Sequence, residues 1–130
     1  MIYTPDFKRP ALESDRMVLQ IQPDWEVHPT EVKQRLDAAA PLLLIDVRPL
    51  AEWNAAHIAA ARLIPLDQIE KQLPTLEAWK DKPVVLHCHH GVRSLQAARL
   101  LRARGFQNVR SMAGGIDAWS LLVDPAVKRY

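Results

Sequence analysis

Cysteine is nearly absent from this sequence, and Cys88 stands alone among 130 residues. A single thiol excludes an internal disulfide and any site built on two thiolates of this chain. Long apolar runs are missing as well: none approaches the ~20 residues of a bilayer-spanning helix, so no membrane segment is expected. Residues 1–10, Met-Ile-Tyr-Thr-Pro-Asp-Phe-Lys-Arg-Pro, lack a basic start leading into an apolar stretch and lack a small-residue cleavage site. A cytoplasmic protein is therefore expected. Nor is there an excess of one charge. The 17 Lys and Arg are interspersed with 15 Asp and Glu, for a net charge of +2, without the basic stripe that nucleic acid or an anionic membrane would require. Internal repeats and low-complexity tracts are lacking too.

What is present fits one ordinary globular domain. With 48% hydrophobic and 25% charged residues, the chain can bury a core without a disulfide or structural metal. Residues 1–21 carry scattered prolines and charges without periodicity and read as an N-terminal extension, leaving 22–130 as the domain. Leu42-Leu43-Leu44-Ile45-Asp46 and Val84-Val85-Leu86-His87 are short apolar runs, the pattern of strands covered on both faces. Weaker strand signals lie at Leu63-Ile64 and Val109-Arg110-Ser111. Val32 and Leu36 recur at helical spacing after His28-Pro29. Asp67-Gln68-Ile69-Glu70 has the form of a capping box, with a helix expected until Pro74 interrupts it. A longer helix is predicted from Ser94 to Arg104, with Leu95, Ala98 and Leu101 inward, Arg99 and Arg102 outward and Gly105 as terminator. After the Gly114-Gly115 turn, a last helix is predicted over Ile116 to Leu122. Strands alternating with helices predict an α/β fold: an open, mainly parallel sheet with helices on both faces.

That reading sets Cys88 directly after a buried strand and just before a helix, where open α/β sheets hold their sites. A lone cysteine is commonly an inert small hydrophobe, so its neighbours decide. The run Cys88-His89-His90-Gly91-Val92-Arg93 is a short loop entering a helix, and such a loop can turn several backbone N–H groups toward one point. Gly91 supplies the unusual φ that the curl needs. The N–H dipoles would favour a thiolate and hold an anionic substrate, with Arg93 adding a permanent positive charge for a sulfur oxyanion. The reading requires the amides to face the sulfur; a thiol sealed in the core, or a splayed loop, would remove it.

The same run resembles the active-site loop of the rhodanese family of sulfurtransferases. Asp46-Val47-Arg48, Glu52-Trp53 and His57-Ile58 are similar to that family's first signature, and Ala113-Gly114-Gly115 with Trp119 to its closing one. The three patches cover about residues 25 to 120. Ala56 and Ala59-Ala60 depart from the family's usual Gly and Pro-Gly. The resemblance implies a rhodanese-like fold and an enzyme in which Cys88 takes sulfane sulfur from a donor such as thiosulfate as a persulfide. It then passes the sulfur to cyanide, a thiol or a protein. No cofactor is implied; the partners are a small sulfur-containing anion and a possible protein donor or acceptor. The six-residue loop is the family's length for sulfur transfer, whereas related phosphatases and arsenate reductases use a longer one. A sulfur-carrier or adaptor module in a protein relay is the alternative, and a non-catalytic binding domain fits poorly with Cys88 and Arg93 intact.

The remaining residues have quieter expected roles. Asp46, Arg48 and His57 are expected to hold the loop in shape, while His89, His90, Gly91, Val92 and Arg93 line the anion cradle. His87 to His90 form no metal site in this reading, because consecutive residues in extended chain point to opposite sides. Trp53 and Trp119 read as packing, and Gly114-Gly115 as a backbone requirement.

Overall fold

The computed structural model describes residues 19–130. The extension expected over 1–21 therefore lies, up to residue 18, outside the described residues. Five parallel strands form one sheet: β1 (Glu26–Val27), β2 (Leu43–Asp46), β3 (Arg62–Leu63), β4 (Val84–His87) and β5 (Val109–Met112), in the order β1-β5-β4-β2-β3. Among the described residues five α-helices accompany them: α1 (Pro29–Asp37), α2 (Leu50–Ala55), α3 (Ile69–Leu76), α4 (Val92–Ala103) and α5 (Gly115–Leu122). The α/β class, the parallel sheet and the helices on both faces are as the sequence predicts. Among the described residues no helix is long and apolar enough to cross a membrane.

Alternation along the strands divides the core into two layers. Ile45, Val84 and Leu86 face one side and pack with Ile69, Leu76, Ala97 and Leu101 of α3 and α4. Leu44 and Val85 face the other and meet Val32, Met112, Ile116 and Trp119, the side of α1 and α5. Each fully buried aliphatic side chain contributes about 1.5–3 kcal/mol relative to exposure, so both faces must stay covered. β4 is buried throughout and flanked by β2 and β5, and Asp46 is paired with His87 at the carboxyl edge. Whatever follows His87 is thus held over that edge.

Several elements differ in extent from the sequence reading. Pro74 lies inside α3 instead of ending it. Its ring costs the bond to the Glu70 carbonyl, but Glu70 is exposed and Leu76 beyond it is fully buried, so tertiary burial outweighs the local break. The capping box is not formed: residues Leu66–Gln68 make a 3-10 turn, and α3 has no side-chain cap. α4 begins at Val92, two residues early, which draws Arg93 into its first turn. Arg102 is not turned outward; it donates to the Val109 carbonyl and lies 3.8 Å from the centre of the Trp25 ring. The two-residue β1 and the short α2 carry too little periodicity to be read.

Candidate active site

Cys88 leaves β4 under a curl closed by Gly91, whose φ of 109° only glycine adopts at low cost. The Gly91 N–H donates to Cys88 Sγ at 3.1 Å and the Ser94 N–H at 3.4 Å. The Ser94 hydroxyl is a third neighbour of the sulfur, at 3.4 Å, and is itself tied at 2.7 Å to the Ser111 hydroxyl on β5. Both serines are fully buried. The amides therefore face the sulfur as the loop's sequence predicts.

The carbonyl side of the loop is equally constrained. Cys88 O accepts from the Ile116 N–H at 2.8 Å and His89 O from the Asp117 N–H at 3.2 Å, so the first turn of α5 satisfies its own orphan donors on the loop. Gly114 and Gly115, at φ 73° and 61°, make this approach possible. A Cβ on Gly115 would stand 2.4 Å from His89 O and 2.5 Å from Cys88 O. The glycine pair is a backbone requirement, and the loop's carbonyls point to α5 while amides point to the sulfur.

Arg93 sits beside this curl but is not open to it. Its guanidinium makes two bonds to the Glu52 carboxylate, at 2.9 and 3.1 Å. These bonds outweigh burial, and with help from the Tyr130 hydroxyl they hold Glu52 down at about 2. The Arg93 charge expected to serve an oxyanion is paired with Glu52 in this structure. Glu52 stood in the first signature without a role, and its partner Arg93 lies 41 residues away.

Asp46 and Arg48 are wholly buried and paired. Asp46 accepts from the Arg48 backbone N–H, Nε and Nη2, while Arg48 also donates to the carbonyls of Glu52 and Ala56. They hold the end of α2, and through Glu52 reach Arg93; their support of the loop is indirect. His57 is exposed, stacks on Trp53 at 3.9 Å and has its Nδ1 2.9 Å from the Trp53 carbonyl, so its described contacts stay within the α2 segment. Val92 is 71% exposed and lines the outer rim rather than the sulfur side. His87, fully buried with Asp46 Oδ2 at 3.7 Å, is pushed down to about 4 by burial against the pull of Asp46.

His89 and His90 lie at the mouth with rings stacked at 3.9 Å. The curl brings both to one side, so the argument from extended chain does not describe them. Their ring nitrogens and an Asp117 oxygen fall within 4.8 Å of one another. Nearly parallel rings, however, aim their in-plane lone pairs side by side, and Asp117 is engaged by Arg129 at 2.8 Å. Tyr130 stacks on His89 at 4.0 Å. No sequence signal marked Tyr130.

The thiol is 1% exposed. It belongs to the core layer that also holds Val47, Leu86 and Ala97, so the structure meets the expectation for the amides, which face the sulfur, while the thiol itself is covered among core side chains. A mostly apolar depression is lined by Val47, Pro49, Pro65, Leu66, Asp67 and Arg93; Cys88 is not part of its lining. The arrangement can hold a charged sulfur by three donors.

Known proteins are similar to this chain in sequence and fold. A family model described as rhodanese-like domain matches residues 28–122. An adenylyltransferase and sulfurtransferase of Zea mays, MOCS3-2, is 39% identical over 105 residues, covering 77% of this chain and 22% of that protein. A putative sulfur carrier protein of Bacillus subtilis, YrkF, is 34% identical over 88 residues, covering 68% of this chain and 46% of that one. The chain spans about a quarter of the length of the first of these relatives. Among solved structures, the human single-domain sulfurtransferase TSTD1 superposes with a TM-score of 0.67 at 28% identity, over 75% of this chain and 96% of that one. A rhodanese-like domain protein from Staphylococcus aureus gives 0.67 at 28%, over 82% and 98%. With its five-stranded parallel sheet and a family match over most of its length, the chain belongs to the rhodanese-like domain family.

Proposed function

We propose that this domain is a sulfurtransferase that carries sulfane sulfur as a persulfide on Cys88. The observation that carries the reading is the convergence of the Gly91 N–H, the Ser94 N–H and the Ser94 hydroxyl on one sulfur. Hydrogen bonds from such donors stabilise negative charge on sulfur where it develops. The Cys88 thiolate attacks the outer sulfur of a thiosulfate-like donor; an S–S bond forms, the donor's S–S bond breaks, and sulfite leaves with the electron pair. A nucleophile, cyanide or a thiolate, then attacks the outer persulfide sulfur, and the Cys88 thiolate departs with its electrons. With one cysteine in the chain, the acceptor must come from outside.

Thiosulfate with cyanide should yield thiocyanate, and Cys88→Ser should abolish turnover while circular dichroism stays native. Mass spectrometry after thiosulfate alone should find a gain of one sulfur, ~32 Da, reversed by reductant. Undiminished turnover in Cys88→Ser removes the proposal.

Relatives whose names join a sulfurtransferase to an adenylyltransferase, or describe a sulfur carrier, favour a second form of the same reading, in which a protein supplies or receives the sulfur. Faster transfer of labelled sulfur from a protein donor than from thiosulfate would select it. As part of this reading we take the domain as residues 22–130, with 1–21 as an extension, acting in the cytoplasm with Asp46, Arg48 and His57 in supporting roles.

A further inference from the structure

After α5 the chain turns back over the site. Asp124 accepts from the Val127 N–H on its carbonyl and from the Ala126 N–H on its side chain, and the Ser120 hydroxyl donates to the Val127 carbonyl at 2.7 Å. Val127 packs against the core layer of Trp119 and Ile116. This root is anchored. The tip is held differently: Arg129 bonds to Asp117 at the start of α5, and the next residue, Tyr130, lays its ring on His89. The Tyr130 hydroxyl donates to Glu52 at 2.7 Å and accepts from Arg48 Nη1 at 2.7 Å. The tip thus runs from α5, across His89 of the loop, to α2, touching groups on both sides of the curl that covers Cys88.

We propose that residues 124–130 are a strap across the mouth of the Cys88 loop, and that Tyr130 is the residue that sets acceptor size by latching it. A thiol only 1% exposed reacts after something above it moves. Among the described residues the strap tip is held over the loop by a part-exposed ring, two bonds at the Tyr130 hydroxyl and an ion pair on a largely exposed Arg129, the last of which contributes little. The curl itself is pinned by buried bonds to α5 and β5. A small nucleophile needs a slight opening beside the ring, whereas a protein acceptor needs the tip lifted off His89 and Glu52. This inference rests on the reading of Cys88 as the sulfur carrier.

The test is the rate of Cys88 alkylation by N-ethylmaleimide and by a maleimide on a 5 kDa polyethylene glycol, which is blind to sulfur transfer and so fails separately from that reading. In Tyr130→Ala, which removes the stack on His89 together with the hydroxyl's bonds to Glu52 and Arg48, the bulky reagent should gain about tenfold and the small reagent clearly less. Tyr130→Phe, which keeps the ring, should fall between. Arg129→Gln, an exposed change that spares the fold, should move the bulky rate in the same direction. A ratio of the two rates that is equal in the wild type and in all three variants overturns the strap.

Discussion

Around Sγ the decisive groups are small. Ser94 contributes both its N–H and its hydroxyl, and Ser111 orients that hydroxyl from the neighbouring strand. His87, one residue before the sulfur, is charged only at cost, since burial holds it at about 4 instead of the ordinary value near 6.5. As pH falls, the unfolded chain takes up this proton first, so stability present above pH 6.5 is lost between about 6.5 and 4 and levels off below. The loss attributable to His87 is about 3 kcal/mol. Urea unfolding midpoints at pH 7, 5.5 and 4 should show a slope in the wild type that is reduced in His87→Gln; equal slopes would refute the assignment. The placement of Cys88 after a buried strand and the positive φ of Gly91 were legible in sequence because a loop between such a strand and a helix leaves few other arrangements. Ser94, Ser111 and Glu52 were not, since their partners lie 6, 17 and 41 residues away and no local pattern encodes such pairings.

Among the elements, α5 matters more to the site than its eight residues suggest. Its first turn supplies N–H donors to the carbonyls of Cys88 and His89, which requires backbone to approach backbone at Gly115. Gly115→Ala places a methyl group into that contact at a left-handed φ. A loss of at least about 2 kcal/mol in urea unfolding is expected, with a fall in sulfur transfer beyond what unfolded material explains. A loss under ~1 kcal/mol with normal transfer would show that the loop does not depend on this approach. The Gly114-Gly115 turn could be read as a turn, but not as a clamp, because its partners, Cys88 and His89, lie far back along the chain. The same blindness applies to α3, where Pro74 signals a break locally and burial of Leu76 overrides it.

Over the whole molecule, one sheet couples two packed layers. Leu86 and Val85 are adjacent on β4 but face opposite sides. Leu86→Ala should cost about 2–5 kcal/mol and Val85→Ala less, yet both should lower one and the same calorimetric transition. Two resolved transitions in either variant would mean the layers unfold independently. Strand identity and the parallel sheet were readable because buried strands form continuous apolar runs. The chain reversal over residues 124–130 carries no such run and had no counterpart in the reading.

Because β4 lies between β2 and β5, its amides belong to the backbone that opens last in native-state hydrogen exchange, while the residues of 128–130 have few bonds to protect them. The sulfur is thus moored to the end of a slow strand, while the loop residue next to it, His89, carries a ring from one of the fast segments. Deuterium is expected to replace the hydrogens of 128–130 many times over before that strand is disturbed.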